Sequence, residues 1–62
     1  MEKKTFREWR KVKGLTTKYV GERLDITAPT LTAKERGKYP FTKVQEMILC
    51  ELYGVKIEQV IR

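Results

Sequence analysis

Residues Thr16–Gly37 read TTKYVGERLDITAPTLTAKERG, and this stretch decides the fold. Thr16 and Thr27 each stand where a hydroxyl can accept a hydrogen bond from the first turn of a helix. The spacing predicts one helix over about 17–24 and another over about 28–36. In the first, Val20 and Leu24 lie four apart and share a face, and Leu15, just before the cap, can fold onto it. Asp25 follows, a residue that tolerates the left-handed backbone better than most non-glycines. Ile26 is a lone apolar residue inside the turn. Pro29 falls in the first turn of the next helix, where a missing N–H costs nothing. Leu31 is that helix's one clear core residue, and Gly37 ends it. Gly21 in mid-helix costs about 0.5–1 kcal/mol relative to Ala. Close approach of two helices at a steep angle is a physical reason to accept that cost.

The pattern extends in both directions. Upstream, a helix over about 3–13, started by Thr5 or by the chain start, carries Phe6 and Trp9 three apart on one face, which reads as core. Gly14 stops it, with Lys11 and Lys13 in the last turn where cations suit the helix dipole. Downstream, the loop Lys38-Tyr39-Pro40-Phe41 leads to Thr42, a further cap. A fourth helix over about 43–53 stops at Gly54, and a short fifth over about 56–61 carries Ile57, Val60 and Ile61. The fourth helix has two apolar stripes: Val44, Ile48 and Leu52 on one side, Leu49, Cys50 and Tyr53 on the other. Its sequence leaves open which stripe is core. No alternating β-branched run or Asn-Gly turn signals a strand. The expected fold is all-α: one compact domain of five short helices over residues 1–62.

Composition limits the function. With 62 residues the chain forms one domain at most, with a thin stability margin. Of the 14 basic and 8 acidic side chains, 11 and 5 lie in residues 1–38, so the whole surplus of +6 sits there. A one-sided basic surplus points to a polyanion, chiefly nucleic acid. There is no histidine, and Cys50 is the single cysteine. The commonest general base, the commonest metal ligand and any internal disulfide are therefore missing. Cys50 reads as a small core filler. Glu8, Glu22, Glu46, Glu51 and Glu58 fall on exposed helix faces by period. Neither catalysis nor a metal or other cofactor is expected. No apolar run approaches membrane-spanning length, and a cytoplasmic protein is expected.

Several pieces then fall in order: Lys13-Gly14-Leu15-Thr16, Gly21-Glu22-Arg23-Leu24, Ile26-Thr27, Thr30-Leu31-Thr32, Glu35-Arg36-Gly37-Lys38 and Tyr53-Gly54-Val55. As an ordered set covering Phe6 to Val60, they resemble the phage Cro/repressor-type helix-turn-helix family, also called the xenobiotic-response-element family. The resemblance implies a lambda-repressor-like domain with the helix-turn-helix at about 17–36 and the third helix in the DNA major groove. By position, it implies base-facing Thr27, Ala28, Pro29, Thr32 and Ala33, with Thr30 and Leu31 turned inward. Backbone N–H groups at Thr17 and Lys18 would meet a phosphate, and Arg10 with Glu35 would form a structural ion pair. Thr17, Tyr19, Asp25 and Lys34 depart from the family's usual residues.

Arg36, Lys38, Tyr39 and Lys43 complete the expected phosphate set, being near helix ends or in the following loop. The base-facing group has none of the Arg, Lys, Gln or Asn side chains that read bases in pairs of hydrogen bonds. Readout would fall to Thr hydroxyls, thymine-methyl contacts and DNA shape. The resemblance implies a transcriptional repressor or Cro-like regulator of a bacterium, phage or mobile element, binding a palindromic operator. A leftover apolar face, with Val55, Ile57, Val60 and Ile61, suggests a homodimer through the C-terminal helices. The alternative is a protein-interaction module or antitoxin-like partner using the same fold.

Overall fold

All four α-helices of the computed structural model, which describes residues 2–61, begin and end by the same local chemistry. They are α1 (Phe6–Val12), α2 (Thr17–Arg23), α3 (Ala28–Glu35) and α4 (Lys43–Tyr53). Each is preceded by a threonine in extended backbone: Thr5, Thr16, Thr27 and Thr42 accept from the N–H groups of Glu8, Tyr19, Thr30 and Gln45. At Thr5 and Thr42 the side chains of Glu8 and Gln45 reach back to the cap N–H, closing capping boxes. At the other end, Gly14, Asp25, Gly37 and Gly54 take positive φ. The next N–H then turns back to a carbonyl five residues earlier: Leu15 to Arg10, Ile26 to Gly21, Lys38 to Ala33 and Val55 to Cys50. Asp25, at φ 59°, is the one non-glycine of these four.

The helices bury Phe6, Trp9, Val20, Leu24, Leu31, Leu49, Tyr53 and Val60 in one core. Leu15, Ile26 and Val55, the residues just past the turns of α1, α2 and α4, pack against it. Phe41 covers one end, its ring edge-on to Phe6 with centroids 5.1 Å apart. The open choice in α4 is resolved: Leu49 and Tyr53 are core, Cys50 is partly buried, and Val44 is 65% exposed. Ile48 and Leu52 are partly buried at its edge.

The fifth helix is shorter than expected. Only a single 3-10 turn, Ile57–Gln59, forms, and Val60 is extended. The first helix is also shorter, starting at Phe6 rather than near residue 3. One interaction accounts for both. Lys4 and Val60 form a parallel bridge, with Lys4 N–H donating to the Gln59 carbonyl (3.0 Å) and Ile61 N–H to the Lys4 carbonyl (2.9 Å). The Trp9 indole N–H donates to the same Gln59 carbonyl at 2.9 Å. The Ile61 N–H, given to Lys4, cannot continue the turn beyond Val60, and Lys4, held through both its N–H and its carbonyl, stays outside α1. Val60 is thereby drawn into the core, and Val55 and Ile57 lie partly buried on it. The expected leftover face loses these three. The exposed apolar residues of the C-terminal half are Tyr39, Val44, Met47 and Ile61. The molecule is all-helical, with four α-helices and no strand among the described residues. None of these helices is long and apolar enough to cross a membrane.

Candidate nucleic-acid interface

The most extensive packing between helices joins α2 to α3. Gly21 is the reason they can approach. A Cβ placed there would lie 2.9 Å from the Ile26 carbonyl oxygen and 3.5 Å from the Thr27 carbonyl carbon, both backbone atoms with little room to move. The Gly21 carbonyl in turn accepts the Ile26 N–H at 2.8 Å. This contact fixes the short turn between the helices, and with it the position of Thr27.

Beneath the pair, Arg10 uses all three guanidinium nitrogens. Nε and Nη2 reach the two carboxylate oxygens of Glu35 (2.9 and 3.3 Å), and Nη1 donates to the Leu15 carbonyl at 2.9 Å. The side chains of Arg10 and Glu35 are only 10% and 2% exposed. One α1 residue thus ties the end of α3 to the residue that precedes the α2 cap. Such a fork is geometry that Arg supplies and Lys does not. Near the pair, the buried Tyr53 hydroxyl has no hydrogen-bond partner among the described residues. Burial, reinforced by the Glu35 carboxylate, pushes its pKa well above the ordinary tyrosine value.

Along α3, Leu31 is fully buried, while Thr27, Pro29 and Thr30 are exposed and Ala28, Thr32 and Ala33 half-buried. Thr30 was expected to face inward, and it does not. Consecutive helix residues are ~100° apart, so the residue before a buried Leu31 need not share its direction. Thr30 instead closes the cap: its N–H donates to Thr27 Oγ1 at 3.4 Å, and the two hydroxyls are 2.9 Å apart. Counting from Leu31 would have revealed this in the sequence.

Of the basic and hydroxyl-bearing residues expected near phosphates, Lys18, Arg36, Lys38, Tyr39 and Lys43 are exposed and Thr17 is half-buried. Lys38 is fixed at its backbone by the bond to Ala33, and its ammonium lies 5.7 Å from the Tyr39 ring centroid. It fills the slot past the helix turn that Leu15, Ile26 and Val55 fill in the other three helices with core-packing side chains. Lys34 is turned differently. Its ammonium donates to the Pro40 carbonyl at 3.0 Å and lies 5.9 Å from the Phe41 ring centroid, so its charge pins the loop after α3. Among the described residues no group of three His, Cys, Asp or Glu side chains could hold a metal ion.

Comparison with known proteins finds no matching family model, no matching curated protein and no matching solved structure.

Proposed function

We propose that the chain binds double-stranded DNA as a helix-turn-helix regulator of the Cro/repressor type, with α3 entering the major groove. The observation that carries this reading is how α3 is held. Leu31 and Glu35 anchor it from below, while the leading turn Thr27–Thr30 stands out with small side chains. A groove ~12 Å wide admits a helix so presented. Thr27, Ala28, Pro29, Thr32 and Ala33 form the base-facing set. The threonine hydroxyls and the methyls of Ala and Thr favour sites rich in thymine contacts.

The charge pattern agrees. The entire surplus of +6 belongs to residues 1–38, which contain α2 and α3. At the exit of α3, Lys38 occupies a slot filled elsewhere by apolar residues, as expected where a phosphate contact outweighs packing. Lys18, Arg36, Tyr39 and Lys43 join it on the backbone, with the N–H groups of Thr17 and Lys18 at the open end of α2. The role is a repressor-like switch acting at a palindromic operator.

Selection of bound sites from a random duplex pool, followed by binding across a salt series, tests this. The selected sites should carry thymines in each half-site. With about four phosphates neutralised by Lys and Arg, a fourfold rise in salt should cut affinity by about two orders of magnitude. A G-rich core without thymine preference, or binding indifferent to salt, rejects the reading. Failure to retain any duplex would favour a protein partner for the same face.

A further inference from the structure

Residues 37–41 lead from α3 to the α4 cap and carry two residues of the proposed phosphate set, Lys38 and Tyr39. Gly37, at φ 85°, turns the chain out of α3, and the Lys38 N–H, bonded to the Ala33 carbonyl, holds that end. At the other end the Phe41 ring meets Phe6. Between these ends Lys38, Tyr39 and Pro40 are exposed. On the side toward α1 the segment borders an open groove of about 400 Å³, lined by Thr5, Phe6, Pro40 and Phe41, instead of packed side chains. Lys34, in the last turn of α3, reaches across to this middle stretch. Its ammonium donates to the Pro40 carbonyl at 3.0 Å and lies 5.9 Å from the Phe41 ring centroid. Two residues along a helix are ~200° around its axis, so Lys34 leaves α3 on the side away from the base-facing Thr32.

We infer that Lys34 is a positioning residue for DNA binding: without touching DNA, its ammonium fixes residues 38–41 where Lys38 and Tyr39 meet the backbone. This rests on the DNA reading above. Phosphate contacts set the register of a protein on its duplex. The small side chains at the front of α3 leave more of that task to them than bidentate base readers would. A segment free to move would have to be ordered as the complex forms, which lowers affinity. The bond from Lys34 orders it beforehand. Both contacts of the ammonium need its positive charge: the hydrogen bond is charge-assisted, and the ring attracts a cation. The same charge is favoured by the C-terminal end of the α3 dipole. A neutral side chain of similar length would cover the same surface and leave Pro40 unheld.

Two measurements test this, the first without DNA. In nuclear magnetic resonance relaxation of the free chain, the amides of Lys38, Tyr39 and Phe41 should have order parameters of ~0.85. Lys34→Met should bring them below ~0.6 while α3 and α4 keep theirs. Lys34→Arg, which keeps the charge and can reach the same carbonyl and ring, should restore them. On a duplex selected as above, Lys34→Met should bind about tenfold more weakly and Lys34→Arg about as well as the native chain. In a background of Lys38→Ala with Tyr39→Phe, the same Lys34→Met change should weaken binding by less than about twofold, because the contacts it positions are gone. Order parameters unchanged in Lys34→Met overturn the inference. So does a full tenfold loss in that background, which would mean that Lys34 meets the DNA itself. Both outcomes leave the DNA reading standing, whereas a native chain that retains no duplex rejects that reading and this role with it.

Discussion

Gly21 shows how one residue can set the spacing of two helices. In isolation, Gly21→Ala would strengthen α2 by up to about 1 kcal/mol through helix propensity. In the folded chain the added methyl meets the Ile26 carbonyl at 2.9 Å, and the neighbour is backbone. Overpacking of this kind costs about 1–3 kcal/mol, so the clash wins. Gly21→Ala should lower stability by about 1–2 kcal/mol in urea unfolding while a peptide of α2 alone gains helicity. An Ala variant as stable as the native chain would mean that the two helices part freely. The close approach was legible because a glycine in mid-helix, just before a short turn, weakens the helix unless tight packing offsets the loss. The outward turn of Thr30 was equally present in the numbering, but resemblance by position overrode it.

At the scale of elements, α1 positions α3 through Arg10 and Glu35. The pair is deeply buried and its geometry is bidentate. Removing one member leaves an unpaired buried charge, at a cost of about 3–5 kcal/mol. A domain of this size has about 5 kcal/mol in total, so Glu35→Ala should leave only about 0–2 kcal/mol and unfold at much lower temperature than the native chain, read by circular dichroism. Arg10→Met combined with Glu35→Leu should restore most of the lost stability, because apolar replacement of both partners is often neutral. A double variant as unstable as Glu35→Ala would show that the Arg10 bond to the Leu15 carbonyl matters more than the pair. The elements themselves were largely readable from sequence. Three of the four threonine caps were marked by position, and Thr5 was one of two expected starts for α1. Helix ends at the termini were not readable, because the bridge between Lys4 and Val60 joins residues too distant for any local rule.

For the whole molecule, the one buried side-chain polar atom without a partner among the described residues has a global consequence. The Tyr53 hydroxyl keeps its proton to higher pH in the folded chain than in the unfolded one, where it titrates near 10.0. Below that pH both states are protonated and this group adds no pH dependence. Above it the unfolded chain releases the proton first, so stability falls as pH rises, by at most about 1.4 kcal/mol per pH unit. Tyr53→Phe removes this slope. Compared by urea unfolding, the variant should equal or slightly exceed the native chain at pH 9, since no hydrogen bond is lost. Its advantage should widen between pH 10 and 11. A constant difference across that range would mean that Tyr53 is accessible to solvent in the folded state.

Local chemistry alone determined where α2, α3 and α4 begin and end, that all four helices exist, and which apolar residues of α2 and α3 turn inward. Caps, left-handed turn residues and three- or four-residue spacing act within a single turn of chain, so they are written in the order of the residues. Which stripe of α4 is core, the shortening of the first and last helices, and the shared Gln59 carbonyl that ties Trp9 to the far end of the chain were decided only by tertiary structure. Each of these depends on which distant surface offers the better partner, and both stripes of α4 are apolar enough to have served. The same packing that chose Leu49 and Tyr53 left Met47 in the open.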